Sequence, residues 1–119
     1  MDQFIAAYKD AIANNYANFS GRLGVGGYWR FVAVNLVPIL LLLILSRVSG
    51  FFLILYILYV LAVLIPGLAA GIRRLHDTGK SGWYILISLI PFVGAIILIV
   101  WTVQAGNPGS NQYGPPPAS

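Results

Sequence analysis

Between Phe31 and Val103 the chain is almost continuously apolar, broken only by one solitary arginine and one short basic cluster. Phe31 to Ser46 carries no charge, Arg47 follows, and Val48 to Ile72 is uncharged again. Arg73, Arg74, His76, Asp77 and Lys80 then precede an uncharged run to the end of the chain. A bilayer core about 30 Å thick takes about 20 helical residues, because in hydrocarbon every backbone N–H and C=O must be satisfied within the segment. The pattern therefore predicts an all-α membrane protein with three transmembrane helices, at residues 28–46, 51–71 and 83–103. Arg47, Ser49 and Gly50 form a tight hairpin between the first two, and Thr78-Gly79-Lys80-Ser81-Gly82 is the turn chemistry before the third.

Composition agrees, since 8% charged and 59% hydrophobic residues lie far from the roughly 25% charged content of soluble domains. A chain of 119 residues has room for a single membrane domain. Three helices bury little protein surface against each other, so lipid, further copies of the chain or other subunits must cover the rest, and self-association or membership of a membrane complex is expected. The absence of cysteine excludes disulfides, thiolate metal sites and cysteine nucleophiles. The basic balance does not point to nucleic acid, because six of the seven Lys and Arg residues flank membrane segments.

Those six, Lys9, Arg22, Arg30, Arg73, Arg74 and Lys80, fall on one side if three spans are threaded, with only Arg47 on the other. Excess Lys and Arg marks the cytoplasmic face, which predicts an N-terminus inside and a C-terminus outside. Tyr28, Trp29, Trp83 and Tyr84 fall at the predicted inner interface and Trp101 at the outer one. Residues 1–27 lack a basic start and an apolar core, so they do not read as a secretory signal. Phe4, Ile5, Tyr8, Ala11, Ile12 and Tyr16 recur at helical spacing, which predicts an amphipathic helix lying in the headgroup region. Residues 104–119, uncharged in their side chains and rich in Gly, Pro, Asn and Ser, are expected to form an irregular, flexible tail.

The densest polar string is Ile72 to Gly82. If the second helix runs through it, Arg73 meets Asp77 at i,i+4 and Arg74 meets Asp77 at i,i+3, so two guanidiniums share one acid. A net positive patch remains, and its forked donors suit phosphate oxygens. Arg22, Arg73, Arg74, His76, Asp77 and Lys80 are thus the candidates for binding an anionic membrane lipid or a partner; the plainer reading is a snorkelling, positive-inside anchor with a local ion pair. One histidine and no cysteine give too few ligands for a metal site, and no base stands near Ser88 in sequence, so neither a cofactor nor an enzyme is expected. The glycine run from Gly21 to Gly27 lacks the ending of a phosphate-binding loop and reads as a link.

Each predicted span contains a proline, at Pro38, Pro66 and Pro91, which bends a helix or breaks it. Broken helices line transporter sites, so a small oligomeric transporter or channel stands as the alternative reading. Gly67 and Gly71 form a GxxxG pattern suited to close helix contact, and Asn35, the most polar residue in a span, is expected to face another helix.

Four stretches carry a family resemblance. They are Tyr16 to Arg22 before Tyr28-Trp29-Arg30-Phe31, Ile72 to Trp83, Ile90 to Gly94, and Gly106 to Pro115. Together they resemble the bacterial inner-membrane family catalogued as domain of unknown function 805, over nearly the whole chain. The resemblance implies a compact helical membrane domain in the inner membrane and brings no activity with it. Leu23 to Gly27 depart from the family pattern, which places basic residues and a glutamate there. Abundant packing features and absent catalytic ones lead to the expectation of a non-enzymatic subunit, regulator or adaptor of a membrane assembly.

Overall fold

In a computed structural model, residues 2–117 form an all-helical fold; Met1, the first residue of the predicted surface segment, and Ala118 and Ser119, the last two of the predicted tail, lie outside the described residues. Helix α1 (Asp2–Lys9) widens into a π turn at Asp10–Asn14. Helix α2 spans Val25–Leu45 and α3 spans Gly50–Asp77. A 3₁₀ segment (Gly82–Leu89) leads to α4 (Val93–Val103). Two of these helices, α2 and α3, are long and apolar enough to cross a membrane. At 1.5 Å per residue they measure about 31 and 42 Å, so α3 reaches beyond a 30 Å core.

Local chemistry sets the helix ends. Ser49 caps α3 by accepting a hydrogen bond from the Phe51 N–H at 3.3 Å. At the other end, Lys80 N–H bonds to Leu75 O and Gly79 N–H to His76 O, with Gly79 at φ +81°. This paired closure needs a left-handed residue after the cap, and glycine takes that conformation without a Cβ clash. The extra length of α3 over residues 51–71 puts the whole Arg-Arg-Leu-His-Asp string on helix, where residues 73 to 77 are all buried.

The segment expected as a third span, 83–103, is not one continuous helix. Ile90 leaves the 3₁₀ segment in an extended conformation, and Val93 N–H bonds back to Pro91 O at 2.6 Å across Phe92, whose φ is +60°. That is a γ-turn of the rare positive-φ kind, strained for a bulky residue. Proline supplies no donor and weakens the helix ladder here, and unlike Pro38 and Pro66, which lie within α2 and α3, Pro91 is followed by the reversed Phe92. A Cβ on Gly94 would stand 1.8 Å from Ile87 O, so the chain can double back here only on glycine. The 3₁₀ limb and α4 are each about 16 Å long, and Trp101 returns beside Tyr84 with ring centroids 5.6 Å apart. Segment 83–103 thus forms a hairpin whose two ends lie side by side.

The tail follows from that. Because the hairpin doubles back, residues 104–117 sit at the same end of the α2–α3 pair as Arg22, where a straight helix over 83–103 would have carried them to the opposite end. The tail is irregular as expected, but it is fastened rather than loose: Asn111 and Gly114 exchange both backbone hydrogen bonds at 3.0 Å, and the loop packs on the end of α3.

Helix α1 packs along α2 and its π turn meets α3, with Ala11, Phe31 and Ala70 forming a small buried core that Tyr8, Ile12 and Leu23 adjoin. The Tyr8 and Phe31 rings stack at 6.0 Å. Tyr8 and Tyr59 share a hydroxyl hydrogen bond at 2.8 Å, and Tyr16 donates to Ala62 O at 2.6 Å. Most of the remaining apolar length of α2 and α3 is exposed.

A charged hub and a cleft with an unpaired arginine

Asp77 closes α3 and organises the polar end. Its Oδ1 accepts from Arg22 Nε at 2.9 Å, and its Oδ2 accepts from Arg74 Nη1 at 2.7 Å. The i,i+3 pair expected from the sequence is therefore present, but the second guanidinium is Arg22, from a distant segment, and not Arg73. Helical geometry allows 73 to face 77; the carboxylate is instead occupied from the side where Arg22 and the tail approach.

The hub carries two cations and one anion, and main-chain carbonyls absorb the difference. Arg22 Nη1 donates to Gly109 O at 2.8 Å and Gly114 O at 3.1 Å, and its Nη2 to Asn107 O at 2.7 Å and Asp77 O at 3.3 Å. Arg74 donates from Nε to Thr102 O at 2.9 Å, from Nη1 to Leu23 O at 3.3 Å, and from Nη2 to Gln104 O. Both side chains are almost wholly enclosed. Buried charge of this kind is tolerated where hydrogen bonds satisfy each donor. A Cβ on Gly106 would fall 2.0 Å from an Asp77 oxygen, so only glycine lets the tail backbone pass so close to the carboxylate.

His76 lies flat against Tyr113, ring centroids 3.9 Å apart and planes within 3°. Its Nδ1 is 2.9 Å from Gly21 O, a contact that requires the proton on Nδ1. The ring also borders a cleft of about 390 Å³ shared with Phe19, Trp83 and Tyr113. Lys80 Nζ donates to Thr78 Oγ1 at 3.1 Å and Gln104 Oε1 at 3.3 Å, and lies 5.8 Å from the Trp101 ring centre. Burial, with the Arg74 charge adding to it, pushes the Lys80 ammonium below its ordinary pKa.

Arg73 is different. It is only 4% exposed, and its Nε and Nη2 have no hydrogen-bond partner. It lines a cleft of about 310 Å³ between α1, the first turns of α2 and the last turns of α3, shared with Gln3, Asp10 and Arg30. Of the six candidates from the sequence, Arg22, Arg74, His76, Asp77 and Lys80 are brought together and engaged within the chain, and Arg73 stands outside that network.

The packing candidates also separate. Asn35 accepts from Tyr59 at 2.5 Å, joining α2 to α3 and, through Tyr59, to Tyr8. Gly71 is buried, and a Cβ there would lie 3.1 Å from Ile85 Cδ1 of the 3₁₀ limb. Gly67 meets nothing within 4 Å, so within this chain the GxxxG pair serves one close approach, not two. Asp10, Arg30 and Gln3 were missed as site residues, because nothing in sequence spacing brings them to Arg73. The tail's grip on Arg22 had a signal, since a run of turn-forming residues around Asn107 and Asn111 can also make a compact loop that turns its backbone carbonyls inward as acceptors.

Among the described residues there is no group of three or more His, Cys, Asp or Glu side chains placed to hold a metal ion. The family model described as "Protein of unknown function (DUF805)" matches residues 16–115. Inner membrane protein YhaH of Escherichia coli (strain K12) is similar at 40% identity, covering 98% of this chain and 97% of its own length. Inner membrane protein YhaI of the same organism is 39% identical, covering 90% of this chain and 92% of its own. No solved structure matches.

Proposed function

From the premise that this chain belongs to the DUF805 family of bacterial inner-membrane proteins, we propose that it is a non-enzymatic subunit, regulator or adaptor of a membrane assembly. Its polar end faces the cytoplasm and meets an anionic lipid or partner there. The orientation follows the cation count: six Lys and Arg residues lie toward the polar end against Arg47 alone at the α2–α3 loop. With the hairpin in place of a third crossing, both the N-terminal segment and the tail belong on the inner side. The inner-membrane location itself fits the relatives and the apolar helices.

The observation that carries the assembly reading is the hairpin tip. Ile90 to Phe92 form irregular backbone with apolar side chains, and Phe92 is 85% exposed. At membrane depth such backbone is stable only where protein covers it or where it lines a cavity. The chain's own helices leave it bare, so another protein surface, a second copy or a different subunit, is the natural cover. The chain has no cysteine, so Phe92→Cys provides a unique crosslinking position. In native membranes it is expected to crosslink to protein with near-stoichiometric yield; labelling by lipid-borne probes alone, with no protein adduct, would refute the assembly reading. The transporter or channel reading draws on the same Pro91 break, since re-entrant hairpins can line pathways once several copies meet. Flux across vesicles at controlled voltage separates the two.

A further inference from the structure

Arg73 adjoins in sequence the guanidinium that fastens the tail, yet its Nε and Nη2 lack partners while it is 4% exposed. A buried guanidinium left this way is unfavourable unless a ligand completes it. Its cleft of about 310 Å³ supplies Arg30 as a second cation, Asp10 as one carboxylate and Gln3 as an amide, over a floor of Ala7, Ala11 and Phe31. Two guanidiniums and one carboxylate leave one positive charge, which balances a phosphodiester. A phosphomonoester, carrying closer to two negative charges, is overcharged for this cleft and repelled by Asp10. Asp10 accepts hydrogen bonds and donates none when ionised, so it calls for a donor on the ligand beside the phosphate. One turn and more along the same helices, Phe4, Ala33, Val34 and Val37 line a second cleft of about 290 Å³ that is almost wholly apolar. A charged cleft followed by an apolar one along the α1–α2 groove has the order of a lipid's headgroup and chain.

We infer that the α1–α2–α3 cleft is a glycerophospholipid site, with the phosphodiester on Arg73 and Arg30, a hydroxyl or ammonium of the headgroup on Asp10 and Gln3, and an acyl chain along Phe4, Val34 and Val37. It rests on the reading of an anionic-ligand face above and names its ligand. Asp10 sets headgroup choice and Arg73 sets affinity.

The test uses the full chain in phosphatidylcholine discs doped with phosphatidylglycerol or phosphatidic acid, with retained lipid counted by native mass spectrometry. One phosphatidylglycerol per chain is expected, held at least tenfold over phosphatidic acid. Arg73→Gln should lower that retention tenfold or more. Asp10→Asn should keep anionic lipid bound but erase the preference, an arm that does not depend on the Arg73 variant folding. Unchanged retention in Arg73→Gln overturns the site and leaves the anionic face standing, whereas a parent protein that retains no anionic lipid overturns both. An intact preference in Asp10→Asn overturns the headgroup assignment and leaves the anionic face standing. Soluble glycerophosphoglycerol should compete at least a hundredfold more weakly than the lipid; equal competition would assign the site to a free phosphodiester and overturn the acyl groove.

Discussion

Helix α3 is two different objects along its length. From Pro66 to Asp77 it is mostly buried, ringed by α1, the 3₁₀ limb and the tail, while from Phe51 to Leu64 most of its side chains are exposed. The far half is apolar and is held against α2 with little of its surface covered; lipid is a sufficient solvent for it. The near half is built on charge: two arginines, one aspartate and a set of main-chain carbonyls. In a membrane, apolar contact between helices gains little over apolar contact with lipid, so packing, hydrogen bonds and ion pairs carry the specificity of a fold. This protein concentrates those bonds at one end and leaves the other plain.

Changes at the hub should therefore cost most. Asp77→Ala strands Arg22 and Arg74, and the loss of one partner from a buried charge network costs about 3–5 kcal/mol. A large drop in the thermal unfolding midpoint in detergent is expected, where Leu58→Ala, in the exposed half, should shift it little. Comparable drops for the two would erase the contrast.

Gly94→Val comes next, because even a Cβ meets Ile87 O at 1.8 Å and the hairpin must open. Spin labels at Tyr84 and Trp101 should report a short separation in the parent protein and a longer, broader one in the variant. An unchanged separation would mean that the hairpin does not depend on that approach.

Tyr113→Ala removes the flat stack on His76, and an aromatic pair of this kind is worth about 0.5–1.5 kcal/mol. The tail should become protease-sensitive near Asn111 while α2 and α3 stay intact; a tail as resistant as before would remove the stack from the account.

The two glycines sharpen the comparison further. Gly71→Leu should destabilise the chain, because Ile85 occupies that space, whereas Gly67→Leu should leave the monomer's stability alone. If Gly67→Leu weakens self-association in membranes without affecting stability, its role lies between chains.

The smallest effect belongs to Lys80, whose pKa is lowered by burial and by Arg74. A lysine with a depressed folded-state pKa penalises the fold while protonated, and the penalty lifts as pH rises from that pKa toward the ordinary value near 10.5. Stability should rise slightly over that alkaline window, and Lys80→Met should flatten the rise.

The two long helices were legible in the sequence because length, apolarity and the absence of charge are enough to define them. Asp77 was legible as an acid shared by two guanidiniums, since i,i+3 spacing on a helix is local information. Its second partner was not, because Arg22 arrives from 55 residues away along a path no spacing encodes. The third segment misled for a different reason. Its 21 uncharged, mostly apolar residues satisfy any hydropathy window, and Pro91 with Gly94 reads equally as a kink or as a reversal until packing decides. The tail carries no side-chain charge, so moving it to the other side leaves the cation asymmetry at six to one, and the positive-inside argument was blind to the change. The Arg73 cleft was hidden because its walls come from three helices whose association no single helical wheel reveals.

The most direct measurement is cysteine accessibility in oriented membrane vesicles, with single cysteines introduced by Ser20→Cys, Ser110→Cys and Val48→Cys, all at exposed positions. The account predicts that an impermeant reagent reaches the first two from the same, cytoplasmic side and Val48→Cys from the other. Labelling of Ser110→Cys from the side of Val48→Cys would mean that segment 83–103 crosses the membrane, and would contradict both the hairpin and the tail-fastened hub.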